Sequence, residues 1–194
     1  MTKTLMVSLL LLCSACIQLG SDPLPMRHYL LQPNAEAKPV PLKSAVEITL
    51  GQLQFPAYLD RLQVTTHDDQ HQVHIASLDR WSEPLEESFT RVLTENLARH
   101  LQDGREESPG QQGHEKEHFL VKLLINSFDG ILGQQTSVDI RWSIVRVGMK
   151  ELVQQGHFVE KMPIGNNYVE LVQGLNNALN NFSQTLALRV AESH

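Results

Sequence analysis

Cysteine is all but missing from this chain: the only two, Cys13 and Cys16, lie near its start. No disulfide can therefore brace the rest of the protein, and no thiol nucleophile is available there. Basic excess is missing as well. Lys and Arg number 16 against 22 Asp and Glu, for a formal net charge of −6. No basic stripe interleaved with aromatics occurs, which disfavours nucleic acid as a partner. The same acidity offers no attraction to anionic lipid, so acyl chains are the expected source of any membrane contact. G-x-S-x-G and P-loop patterns are absent, and catalysis is left without a signature. The N-terminal apolar run from Leu5 to Leu12, interrupted by Ser8, is less than half of the roughly 20 residues that a membrane-spanning helix needs.

That short run has a different use. Lys3 precedes it and the small pair Ser14-Ala15 follows, giving the basic region, apolar region and cleavage site of a secretory signal. The ending Leu12-Cys13-Ser14-Ala15-Cys16 resembles a lipobox, where a small residue precedes a cysteine that is first diacylated. Cys16, after Ala15, fits. Cys13, after Leu12, does not, although it occupies the place where the motif usually has leucine. Cleavage before Cys16 removes Cys13 and a thioether to lipid consumes Cys16, so the mature chain is expected to have no thiol. Ile17 follows where inner-membrane lipoproteins of Gram-negative bacteria carry aspartate, which by that sorting rule places the protein at the outer membrane, on its periplasmic face. The expected organisation is a signal peptide over 1–15, lipidated cysteine and tether over 16–27, and a single domain over 28–194. Removing the signal leaves about 180 residues, enough for one proper core.

Residues 17–27 and 32–43 hold five of the nine prolines and show no apolar period, which predicts a tether and an extended loop. His28–Leu31 between them has the look of a short strand. Val46, Ile48 and Leu50 alternate with polar residues, then the phase shifts after Gly51 to Leu53 and Phe55, as in a half-buried strand with a bulge. Leu62–Thr66 and Gln72–Ala76 flank His67-Asp68-Asp69-Gln70 and predict a hairpin. From Ser82, the expected N-cap, apolar residues recur at helical spacing: Leu85, Phe89, Val92, Leu93, Leu97 and Leu101. Glu86 and Glu87 near the start, with Arg99 and His100 near the end, suit the helix dipole. The stretch from Asp103 to Lys116 predicts a surface loop. Phe119–Ile125, Val138–Ile144 and Leu152–Glu160 predict an antiparallel meander. A second helix of about 24 residues starts near Asn167, long enough at roughly 36 Å to cross a sheet. Asn176, Asn177, Asn180 and Asn181 lie on its far face, expected in solvent. The expected class is α+β: a mainly antiparallel sheet with two helices on one face, ordered strands, helix, three strands, long C-terminal helix.

Two clusters have metal-ligand types. His114-Glu115-Lys116-Glu117-His118 matches H-E-x-x-H, the pattern of a zinc hydrolase with both histidines on one helix face. Pro109-Gly110 before it and the strand-like Phe119-Leu120-Val121 after it leave no helix to align those ligands. His67, Asp68, Asp69, His71 and His74 are close in sequence, but turn chemistry explains the aspartates equally well. No metal or cofactor is expected. Two other stretches place binding-type residues at element ends. Phe55-Pro56-Ala57-Tyr58-Leu59-Asp60-Arg61 sets Tyr58 and Leu59 beside a proline turn, and Arg80-Trp81-Ser82-Glu83-Pro84-Leu85 sets Arg80 and Trp81 before a helix. Tyrosine, tryptophan and arginine are enriched in interface hot spots. Equally, Tyr58 and Trp81 can plug the ends of the core, with the arginines paired to Asp60 or Asp79.

Tyr29-Leu30-Leu31 after the tether, these two stretches and the long closing helix together resemble the PqiC family of ABC-type transport auxiliary lipoproteins, membrane integrity-associated transporter subunits. The resemblance implies an outer-membrane-anchored periplasmic subunit of a lipid transport system. Its implied partners are a periplasm-spanning MCE-domain protein and an integral inner-membrane component, with phospholipid as the cargo. It further implies a homo-oligomer and a docking role without catalysis. Cys16 is then the lipid attachment, and Tyr58, Leu59, Arg61, Arg80 and Trp81 are the candidates for partner contact or positioning. The alternatives are a scaffold lipoprotein of another envelope machine, for secretion, pilus or wall synthesis, and, more weakly, a zinc hydrolase built on His114, Glu115 and His118.

Overall fold

The computed structural model describes residues 24–102 and 116–193, so the expected signal, Cys16, most of the tether and all of the 103–116 loop but Lys116 lie outside the described residues. The order is β1 (Arg27–Tyr29), β2 (Val46–Gln54), β3 (Gln63–His67), β4 (Val73–Trp81), α1 (Leu85–His100), β5 (Glu117–Ile131), β6 (Gln135–Arg146), β7 (Glu151–Glu160) and α2 (Tyr168–Glu192). This is the expected α+β class in the expected order. Arg27, counted with the tether from sequence, already belongs to β1.

The strands divide into two sheets. β2, β5, β6 and β7 form one in that order, and β1, β4 and β3 form the other. The expected meander is β5 to β7, and β3 with β4 is the expected hairpin. A register shift between Leu50 and Leu53 marks the bulge around Gly51. Two pairings are parallel, β1 with β4 and β2 with β5. Alternation identifies a strand without naming its partner, and the long excursion from β2 through the hairpin and α1 lets the chain return beside β2 in the same direction.

One face of the larger sheet is apolar. Val121, Leu123 and Ile125 on β5 and Val138, Ile140 and Ile144 on β6 are buried, while Lys122, Leu124, Asn126 and Arg141 between them are exposed. Both helices cover the apolar face. Phe89 of α1 is wholly buried, and its ring meets Phe55, just beyond β2, and Phe128 of β5 edge-on at centroid distances of 5.3 and 5.4 Å. Such pairs add to the gain from burial itself. α2 lies over β5, β6 and β7, with the Phe182 ring 5.3 Å from that of Phe158. Among the described residues no helix is long and apolar enough to cross a membrane.

Local chemistry corrects two expectations. α1 begins at Leu85 with Pro84, at ψ 134°, in the capping position. Ser82 does not cap it: it lies two residues before Pro84, and its N–H donates to the Tyr29 carbonyl at 2.8 Å at the end of the strand layer. α2 does start as expected, with the Asn167 side chain accepting the Glu170 N–H. Of the four asparagines on its far face, Asn177 and Asn181 are exposed, but Asn176 and Asn180 are half-buried. Asn176 accepts the Gln32 N–H at 2.7 Å, and Asn180 accepts from Asn96 of α1 at 2.8 Å. Asn96, itself fully buried, also donates to Ser183 at 3.1 Å and accepts the Asn34 N–H at 2.8 Å. Polar residues on that face thus bind the helices and the 32–43 loop together. Because Phe89 joins α1 to both β2 and β5, Phe89→Ala is expected to cost about 3–5 kcal/mol in urea unfolding, and a cost below about 1 kcal/mol would contradict this packing.

Candidate functional site

Proline ends β2 and starts the site. Pro56, with φ −61° and ψ 136°, leads into a single 3-10 turn over Ala57–Leu59, and it has no N–H with which to extend the ladder. The Leu59 N–H donates to the Pro56 carbonyl at 2.9 Å. Leu59 thereby points into the core, 4% exposed. Tyr58 reaches β5, where its hydroxyl donates to Asp129 Oδ2 at 2.8 Å. Arg61 folds back over the turn, its Nε–H donating to the Tyr58 carbonyl at 2.9 Å.

Arg80 and Trp81 form the end of β4, just before the helix. Trp81 is buried, and its N–H donates to the Leu62 carbonyl at 2.7 Å. Tyr29 of β1 lies opposite Trp81 in register. Two backbone bonds, from Trp81 to Leu62 just after the Phe55–Arg61 stretch and from Ser82 to Tyr29, therefore bring the three motif stretches to one place. Arg80 is half-buried, with Nε buried and lacking a hydrogen-bond partner among the described residues. Asp79 does not serve the neighbouring arginines. It is buried and pairs with Arg27 at 2.7 Å while accepting from the Tyr29 hydroxyl at 2.7 Å. Burial and this carboxylate push the Tyr29 phenol up to about 12.

Between the Tyr58 turn and the first turns of α1 lies an open groove of about 720 Å³. Phe55, Leu59, Leu62 and Leu85 supply its apolar lining, and Asp60, Arg61, Glu86, Glu87 and Arg91 bring charges of both signs. Arg91 is held by Glu83 at 2.7 Å and by the Leu31 carbonyl at 3.1 Å. A concave apolar surface with a few fixed polar groups is suited to binding an apolar partner segment in one orientation. Its lining contains no histidine, cysteine or serine.

The histidine clusters are put to other uses. Asp68 accepts the N–H groups of Gln70 and Gln72, both at 2.9 Å, and bonds His74 at 2.9 Å. Asp69 accepts from Gln134 at 2.8 Å. His118 lies in β5 and bonds Thr49 at 2.8 Å, while His114 and Glu115 lie outside the described residues. Among the described residues no three metal-ligating side chains converge.

Asp129 belongs to the site and carries no motif; a lone acid between Phe128 and Gly130 in an apolar strand is its only sequence signal. It is 2% exposed. Oδ2 takes Tyr58 and, at 3.2 Å, His67 Nδ1 of β3, while Oδ1 is buried without a partner among the described residues. Burial holds the Asp129 carboxyl above the usual carboxylate range, outweighing the opposite pull of Tyr58 and His67. A carboxyl with a raised folded-state pKa gives stability that is present at low pH and lost as pH rises through that value. Asp129→Asn is therefore expected to gain stability relative to the parent as pH rises from about 4 to neutrality, read by thermal melts across that range. A relative loss over the same range would contradict the assignment.

Known proteins share this architecture. A solved structure of an uncharacterized protein superposes with a TM-score of 0.65 at 18% identity, covering 86% of this chain and 99% of that one. A Xanthomonas campestris protein of the DUF330 family superposes with a TM-score of 0.62 at 9% identity, covering 87% of this chain and 94% of its own. At such identities the likeness shows the fold alone. No curated protein sequence matches the chain. The model of the ABC-type transport auxiliary lipoprotein component family matches residues 29–187. That span runs from Tyr29, opposite Trp81, through both motif stretches and deep into α2, and the chain belongs to the ABC-type transport auxiliary lipoprotein component family.

Proposed function

We propose that this auxiliary lipoprotein is the outer-membrane-anchored, periplasmic subunit of an MCE-type intermembrane lipid transport system. Its role is docking and assembly, without catalysis. Cys16 carries the lipid after removal of residues 1–15, and residues 16–27 tether the domain of 28–194 to the membrane. The partners are a periplasm-spanning MCE-domain protein and, through it, an integral inner-membrane component, with phospholipid as the transported substrate. The subunit acts as a homo-oligomer.

The observation that carries the docking role is the groove itself, where family motifs far apart in sequence line one concave apolar surface. Of the candidate residues Leu59 and Arg61 line the groove, and the others stand around it. Tyr58, Leu59 and Trp81, which are half-buried or buried, position the turn and the helix start. Arg61, beside exposed Leu62, meets the partner. Arg80 lies behind them on β4, the central strand of the smaller sheet.

Leu62→Asp places a carboxylate on the exposed part of the lining. Recovery of the MCE-type partner is expected to fall about tenfold or more, while the unfolding free energy stays within about 0.5 kcal/mol of the parent; undiminished recovery would contradict the groove's role. Labelling with a fatty-acid precursor tests the anchor separately. The parent is expected to take up label and Cys16→Ser to lose it, and equal labelling of the two would overturn the attachment.

A further inference from the structure

The segment that enters the domain from the anchor side carries an apolar stripe that nothing covers among the described residues. Leu24, Met26 and Leu30 are 72%, 54% and 43% exposed, three large hydrophobics within seven consecutive residues. Their outward setting is enforced. Side chains alternate along an extended chain, and in β1 exposed Arg27 and half-buried Tyr29 both reach back to buried Asp79 at 2.7 Å. Rotating the segment to bury Met26 and Leu30 would break both bonds and leave the Asp79 carboxylate unpaired in the interior. The stripe ends at α2, where Leu30 borders a shallow depression of about 370 Å³ lined mainly by the amides of Gln32, Gln173, Asn176 and Asn177.

We infer that Leu24, Met26 and Leu30 form a membrane-contact face that rests on the lipid surface beside the anchor. The inference depends on lipidation of Cys16, and chain length identifies the occupant. Cys16 precedes Leu24 by eight positions, which at full extension span at most about 28 Å. With the acyl chains of Cys16 in the bilayer, the stripe is the part of the folded body that the chain reaches first. Its chemistry agrees. Arg27 is exposed but paired with buried Asp79 at 2.7 Å, His28 shares the exposed face with Met26 and Leu30, and the chain as a whole is acidic. Contact is therefore apolar and insensitive to salt, unlike the adsorption of a basic patch. Acyl chains on one cysteine fix a body's distance from the membrane but leave it free to turn. Three apolar side chains flanking β1, which is bonded to β4, also fix which way the groove faces.

Cleavage removes Cys13 and lipid blocks Cys16, so a cysteine introduced into the full lipoprotein is its sole free thiol. Met26→Cys, Leu30→Cys and, on the sheet face turned away from both helices, Lys122→Cys are each labelled with a nitrobenzoxadiazole probe. The proteins are placed in phosphatidylcholine vesicles containing doxyl-labelled lipid. The probes at 26 and 30 are expected to be quenched by the lipid at least about threefold more than the probe at 122, at low and at high salt alike. Equal quenching at all three positions, with Cys16 still taking up fatty-acid label, would overturn the contact while leaving the anchor in place. Probes at 26 and 30 shielded from both doxyl lipid and aqueous iodide would also overturn it, since protein would then cover the stripe. Loss of label from the lipoprotein would instead remove the anchor, and this inference with it.

Discussion

The Phe89 ring stands between Phe55 and Phe128, fully withdrawn from water and edge-on to both. Phe55 immediately precedes the proline that turns the chain into Tyr58, and Phe128 immediately precedes Asp129, which receives the Tyr58 hydroxyl. One aromatic contact therefore seats α1 on the sheet and places the Tyr58 turn beside it. The space left between them is the groove. Burial of aromatic area is strong and non-directional, while edge-on ring packing adds direction. The groove thus depends on what lies beneath its floor more than on any bond across its mouth.

Two buried carboxylates complete the frame, each holding a tyrosine. Asp79 takes Arg27 and Tyr29 and fixes the short strand β1. Asp129 takes Tyr58 and His67, and so ties the turn and the smaller sheet to the larger one. Burying charge is costly unless it is paired. Asp79 is fully answered, whereas Asp129 leaves one oxygen unanswered, and the fold resists its ionisation accordingly. The same inward bonds that satisfy Asp79 leave Met26 and Leu30 facing out, which links a core requirement to a surface property.

Periodicity made much of this legible. The stripe from Leu85 to Leu97, the alternation from Val138 to Ile144 and the Asn167 start of α2 each reappear as drawn, because burial on one face imposes its period on the chain. The bulge at Gly51 was legible for the same reason. Pairing direction was not, since β2 meets β5 only through a contact distant in sequence. Ser82 has the residue type of a cap, but Pro84 disfavours helical geometry at Glu83, and the helix starts at Leu85. Asn176 and Asn180 looked solvent-bound because asparagine is a poor helix former, yet each found a partner across a packing contact. For the site, the motif stretches indicated where to look. The residue that holds Tyr58, Asp129, had no motif to announce it.

The central claim is that this groove-bearing lipoprotein docks a lipid-transport bridge to the outer membrane. Purification of the full lipoprotein from native membranes in mild detergent, with identification of the proteins and lipids that accompany it, tests this most directly. The account predicts recovery of an MCE-domain protein together with phospholipid. Recovery with the components of a secretion, pilus or wall-synthesis machine, and no MCE-type partner, would contradict it.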